Sequence, residues 1–211
     1  MLNYDEICRV DVPEGMSGVY KVEKFKFPEK ETDVLVTAKM GRPIAPGIYT
    51  RLMRWRWTIR NMQADWKVVM SDVPTEIEDH YRVLNEAQYR GGRVLINGLG
   101  LGMVLKGILS FPNVTHVDVV EKSSDVIKLI APTYTLDPRL TIHQGDAYSI
   151  EWPPGSRWNV VWHDIWDEVV SYNVPGMNKL HAKYKDLCDW QDSWRRFECQ
   201  TDFVDSEYKR R

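Results

Sequence analysis

The sequence predicts an α/β protein, a Rossmann-like doubly wound parallel sheet with a β-rich region before it and a helix after it. Three observations carry this. A short continuous apolar run, Val94-Leu95-Ile96, follows Gly91-Gly92, as in a strand covered on both faces. Apolar runs of strand length then alternate with segments of helical spacing, the βαβ rhythm of a doubly wound sheet. Finally, Gly98, Gly100 and Gly102 stand where the first parallel strand turns into its helix, where the backbone must turn tightly.

Three parts follow: an amino-terminal region over 1–75, the sheet domain over 76–170, and a carboxyl-terminal helix and tail over 171–211. Residues 1–47 are rich in turn formers, among them Pro13, Gly15, Gly18, Pro28, Pro43 and Pro46, around short runs such as Val34-Leu35-Val36, and read as irregular or β-rich. Trp55, Trp57 and Ile59 alternate with Arg54, Arg56 and Arg60, the period of two of a half-buried strand. A turn near Asn61 to Asp65 returns it as a hairpin with a solvated basic face. Pro74 opens a helix whose Ile77, Tyr81, Leu84 and Gln88 are helically spaced, ended by Gly91-Gly92.

Within the sheet domain the spacing predicts helices over 101–110 and 123–131, with strands at 116–120, 140–143 and 160–162. Leu180, Tyr184, Leu187, Trp194 and Phe197 form a stripe of helical period after Pro175, and the tail DSEYKRR is solvated. So few residues follow the fourth strand that the sheet reads as truncated, leaving that strand as an edge. An open edge invites pairing, so a homo-oligomer is expected.

Hydrophobic residues are 43% and charged residues 27% of the 211, with a net charge of -2. That composition suits a soluble globular chain and gives no global positive field for nucleic acid. MLNYDEICRV lacks a basic segment followed by an apolar one, and no window approaches the roughly 18 apolar residues of a membrane span. A cytoplasmic protein without a membrane partner is expected. Cys8, Cys188 and Cys199 lack CxxC spacing, and the five histidines are scattered, so free thiols and no metal site are expected.

Glu121 closes the second parallel strand nineteen residues after Gly102, where a carboxylate can accept both ribose hydroxyls of a nucleoside. Asp146 ends the third strand and Asp164 the fourth. Four consecutive carboxyl ends thus present ligand-competent groups at the edge where open α/β sheets bind ligands.

In VLINGLGLG, VVEKSSDVI, DPRLTIHQGDA and WNVVWHDIWDE, over about residues 76 to 168, the chain resembles the class I S-adenosylmethionine-dependent methyltransferases, in their spermidine-synthase-like branch. The resemblance implies S-adenosylmethionine as the cofactor. Gly98, Leu99, Gly100 and Gly102 would lie near its methionine part, Glu121 and Lys122 at the ribose, and Asp146 and Ala147 at the adenine. Asp164 would stand beside the sulfonium as the catalytic carboxylate. His80, Tyr81, Trp166 and Asp167 are the candidates facing a second substrate.

The departures disfavour aminopropyl transfer. At Leu101 the spermidine synthases carry an aspartate that meets the free amine of the decarboxylated ligand, and leucine cannot pair with a cation. Asp79 and Tyr81 flank His80 where that branch has tyrosine and glutamate. An S-adenosylmethionine-dependent methyltransferase acting on a small molecule or a macromolecular end, its acceptor unspecified, is therefore expected. The alternatives are a non-catalytic S-adenosylmethionine-binding protein and an aminopropyltransferase. A nicotinamide enzyme is disfavoured because Met103 takes the place of the third glycine of G-x-G-x-x-G.

Overall fold

The computed structural model describes residues 2–58 and 63–201. Ile59, Arg60, Asn61 and the tail over 205–211 lie outside the described residues. After α1 (Tyr4–Ile7) come β1 (Gly15–Ser17), β2 (Tyr20–Phe27), α2 (Glu31–Lys39), β3 (Gly47–Thr58) and β4 (Gln63–Ser71). The four strands form an antiparallel sheet in chain order. The helix α2 contradicts an irregular reading of Val34-Leu35-Val36. Its start is fixed by Asp33, whose carboxylate accepts the Lys30 amide at 2.7 Å, and its apolar residues are exposed, so no amphipathic period marks it.

The hairpin faces opposite to its basic-out reading. Trp55 and Trp57 are 44% and 61% exposed, whereas Arg54 and Arg56 turn toward the second sheet and pair with Asp167 and Glu168. The pairing register shifts between Leu52 and Met53, both buried. The extra residue, Val69, lies on β4, so β3 keeps its alternation, with Leu52, Arg54 and Arg56 on one face and Met53, Trp55 and Trp57 on the other.

Next come α3 (Pro74–Glu78), α4 (Tyr81–Arg90), β5 (Gly92–Asn97), α5 (Met103–Leu109), β6 (Val114–Glu121), α6 (Ser124–Ile130), β7 (Leu140–Gln144), β8 (Trp158–His163), α7 (Val174–Tyr184) and β9 (Cys188–Ser193). One helix expected from Pro74 is thus two, broken at Asp79-His80. The second sheet is parallel with the order β7-β6-β5-β8-β9. The chain leaves β5 toward one edge and returns to its other side at β8, a topological switch point. On one face Val94, Ile96, Val117, Val119, Val160 and Trp162 pack with Leu84, Leu105 and Val126. On the other, Leu95 and Val161 pack under Leu180 and Tyr184 of α7.

The 180–197 stripe is not one helix. Leu180 and Tyr184 belong to α7, residues 188–193 form β9, and Phe197 is exposed. The segment CDWQDS has little strand propensity of its own. It pairs because β8 offers a free ladder, and Trp190 stacks on Trp162 at 6.4 Å and 6°. β8 is therefore an interior strand, which removes the edge from which an oligomer was expected. Among the described residues no helix is long and apolar enough to cross a membrane. Cys8, Cys188 and Cys199 are buried and unpaired.

Candidate functional site

A cavity of about 490 Å³ opens at the carboxyl edge of the parallel sheet, within the usual 300–1,000 Å³ of small-molecule sites. The second sheet supplies its floor, and the β2–β4 face of the first sheet roofs it through Tyr20, Leu52, Arg54 and Met70. The cavity gathers Gly98, Gly100, Glu121, Lys122, Asp146, Ala147, Asp164, His80, Trp166 and Asp167. Leu99, Gly102 and Tyr81 are not on its wall. Leu99 contributes a main-chain amide to Glu121, Gly102 begins α5 in a left-handed conformation, and Tyr81 turns away to donate to Asp5 at 2.6 Å. Tyr81 is thus removed as a substrate-side candidate. The break between α3 and α4 turns it toward α1 instead.

The glycine loop is explained by its protein neighbours. A Cβ on Gly98 would come within 1.9 Å of the Asp164 carbonyl oxygen, and one on Gly100 within 2.3 Å of Met70 Sδ. Both have positive φ, 104° and 52°, which L side chains adopt at a cost. The loop is therefore clasped between β8 and β4. Leu101 is buried in the core at its far side. It does not face the cavity, so its identity says nothing about a ligand's amine, and the argument against aminopropyl transfer drawn from it falls.

Glu121, at the end of β6, is fixed by two main-chain donors. Leu99 N–H reaches its Oε2 at 2.9 Å and Ser123 N–H its Oε1 at 2.8 Å. Each carboxylate oxygen keeps a further lone pair toward the cavity. Asp146 accepts the Tyr148 amide at 2.9 Å and Lys122 Nζ at 2.8 Å. The Lys122 ammonium, then the amide, holds its carboxyl below the usual range.

The opposite end is dry and acidic. Asp164 follows β8, its amide bonded to the Asn97 carbonyl at 2.8 Å, and its side chain is 16% exposed. Burial, reinforced by Asp79, Glu76 and Asp167, pushes its carboxyl up to about 7. Burial likewise raises Glu76, which accepts the Ser71 amide and hydroxyl. His80 is buried and its pKa is lowered to about 4, so at neutral pH its ring is uncharged and its 3.9 Å approach to Asp164 is no ion pair. His80 Nδ1 is buried without a hydrogen-bond partner among the described residues. Among the described residues no cluster of three or more His, Cys, Asp or Glu could hold a metal ion.

Tyr20, Arg54, Met70, Glu76, Tyr148 and Trp194 also line the cavity and escaped the sequence reading. For Arg54 the signal was its period of two with Leu52, which shares the cavity-facing side. For Trp194 it was its place just past β9, visible only once that strand is known. Trp162 is core, as its alternation with Val160 suggests.

No protein-family model matches the sequence, and no curated protein is significantly similar to it. Among solved structures, the chain is similar to the N-methyltransferase NodS from Bradyrhizobium japonicum WM9, with 13% identity, TM-score 0.43, and 54% of this chain and 62% of that one covered. It is similar also to the CcbJ methyltransferase from Streptomyces caelestis, with 17% identity, TM-score 0.41, and coverage of 52% and 44%. The chain thus spans less than two thirds of the length of either.

Proposed function

We propose that the cavity binds S-adenosylmethionine and that the chain is a methyltransferase of the spermidine-synthase-like branch, which transfers the methyl group to an acceptor still to be identified. The observation that carries this is the division of one cavity between a rigid acceptor end and a dry acidic end, with the glycine loop between them. Glu121, preoriented by the amides of Leu99 and Ser123, would take the ribose hydroxyls, and Asp146 with Ala147 the adenine edge. The sulfonium would supply an activated methyl group. This chain's part is to align the acceptor, which contributes several kcal/mol by proximity, and to hold or take its proton at Asp164. Trp166 and Asp167 would border the acceptor, with His80 beside Asp164.

The residues present fit the ligand in volume and in preset acceptors. A second reading, aminopropyl transfer, is favoured by the acid-rich end, which suits a cationic ligand. Calorimetry with S-adenosylmethionine, S-adenosylhomocysteine and NAD tests the site, and the first two are expected to bind while NAD does not. Mass spectrometry of cell extract incubated with protein and S-adenosylmethionine should reveal a species heavier by one methyl group. Binding of NAD alone would overturn the reading, and spermidine made from putrescine and decarboxylated ligand would replace it with the second.

A further inference from the structure

We infer that Arg54, a side chain of the first sheet, anchors the carboxylate of an intact amino-acid tail and so selects S-adenosylmethionine over ligands lacking that group. This rests on the S-adenosylmethionine reading above. The first ground is what the glycine loop can no longer offer. Four of its amides already have acceptors: Gly98 donates to Val120 O, Leu99 to Glu121, Leu101 to Met70 Sδ at 3.1 Å, and Gly102 to Leu99 O. The loop's main chain, where the sequence alone would place a ligand carboxylate, is largely closed to it. A side chain must do the work.

The second ground is charge. Among the described residues on the cavity wall, five are acidic, Glu76, Glu121, Asp146, Asp164 and Asp167, and two are permanent cations, Arg54 and Lys122. Lys122 closes on Asp146 at the far end. An anionic group entering the acidic end would be repelled unless a cation met it there, and Arg54 is the cation in place.

Position is the third ground. Leu52 pairs across the hairpin with Met70, which touches Gly100 and the Leu101 amide. Arg54 follows Leu52 by one strand period, about 7 Å along β3 on the same face. From there its Nη2 reaches Asp167 at 2.8 Å, three residues past Asp164. The guanidinium thus meets the loop after β8, on the same strand face whose preceding pair, Leu52 and Met70, closes on the glycine loop. It is a planar fork of five donors, so its contacts with Asp167 and Tyr20 leave others for a ligand carboxylate. Its side chain is 33% exposed, enough to admit the ligand and little enough to strengthen the pair.

Calorimetry on the full chain tests the assignment with three probes: S-adenosylmethionine, its decarboxylated form, and 5′-methylthioadenosine, which has no amino-acid tail. Wild type should bind S-adenosylmethionine about tenfold tighter than either other compound. In Arg54→Gln that advantage should vanish, with methylthioadenosine affinity within about twofold of wild type. Arg54→Lys should retain part of it, and Arg51→Gln, whose partners Glu23 and Glu29 lie off the cavity wall, all of it. Equal weakening of all probes in Arg54→Gln, or no weakening of S-adenosylmethionine, overturns the anchor. Should Arg54→Gln fail to fold, the wild-type ranking and Arg54→Lys decide, and either an undiminished preference in Arg54→Lys or no wild-type advantage over methylthioadenosine sinks it. If methylthioadenosine binds wild type but S-adenosylmethionine gains nothing over it, the anchor alone falls. Were no adenosine compound to bind, the underlying site reading would fall too.

Discussion

At the β6–β7 end of the cavity, Asp146 is held below the usual carboxylate range by Lys122 and a main-chain amide, whereas at the β8 end Asp164 is pushed up to about 7 by burial and acidic neighbours. Both residues are aspartates at carboxyl ends of strands of one sheet. What separates them is donor supply and water. An aspartate saturated with donors is a fixed acceptor, suited to recognition. One that is short of donors and out of water exchanges its proton near neutrality, which suits chemistry.

The harshest test of this contrast is Asp164→Asn. It should lower methyl transfer to extract acceptors by about a hundredfold or more, within the range for loss of a general base. S-adenosylmethionine affinity should change by less than about threefold. A variant that transfers at the wild-type rate would remove Asp164 from the chemistry.

The same group should leave a mark on stability. Its pKa is higher folded than unfolded, so the fold favours the protonated form. The relative stabilisation is complete below about pH 4 and lost as pH rises through about 7. Above that pH the folded state carries an ill-solvated charge. Asp164→Asn should therefore match wild type near pH 4 in urea melts and exceed it by about 2 kcal/mol near pH 8. Parallel profiles would mean that Asp164 is solvated like Asp146. By the same linkage, a cationic ligand should bind wild type more tightly as pH rises from 6 to 8, and the Asn variant without that slope.

At the recognition end, Glu121→Ala should weaken S-adenosylmethionine by about tenfold, or 1.4 kcal/mol. Glu29→Ala, an exposed partner of Arg51, should leave calorimetric affinity where it was. An unchanged dissociation constant in the first would separate Glu121 from the ligand. The smallest effect is expected at Arg56→Gln. It breaks a largely exposed pair with Glu168, worth under about 1 kcal/mol, and its Tm should stay within a few degrees of wild type. A larger drop would mean that the clasp between hairpin and β8 loop stabilises the fold more than an exposed pair can.

The legible parts of the chain were those whose signal is local. β5 and β8 announce themselves because a strand buried on both faces must be apolar throughout, and Gly98, Gly100 and Gly102 because positive φ selects glycine. The carboxylates at the ends of β6, β7 and β8 followed from the strands. What escaped depended on contacts distant in sequence. The segment CDWQDS becomes β9 only because β8 lacks a neighbour, and α2 has no apolar face to betray it. A period of two separates the two faces of the hairpin without saying which of them is covered, so Arg54 read as surface although it roofs the cavity. Tyr81 had the right spacing for a helix and the wrong direction for a site, because the chain breaks just before it.

Met70 closing on the glycine loop also bears on the order in which this molecule opens. The Gly98 amide donates to Val120, inside the parallel sheet, whereas the Leu101 amide donates to the Met70 sulfur, which belongs to the other sheet. Two protons three residues apart therefore answer to different events. Deuterium should enter at Leu101 whenever the hairpin lifts, and at Gly98 only when β5 and β6 part. The protection of Leu101 measures the free energy of undocking one sheet from the other while both stay folded, and the gap to Gly98 measures the further cost of parting β5 from β6.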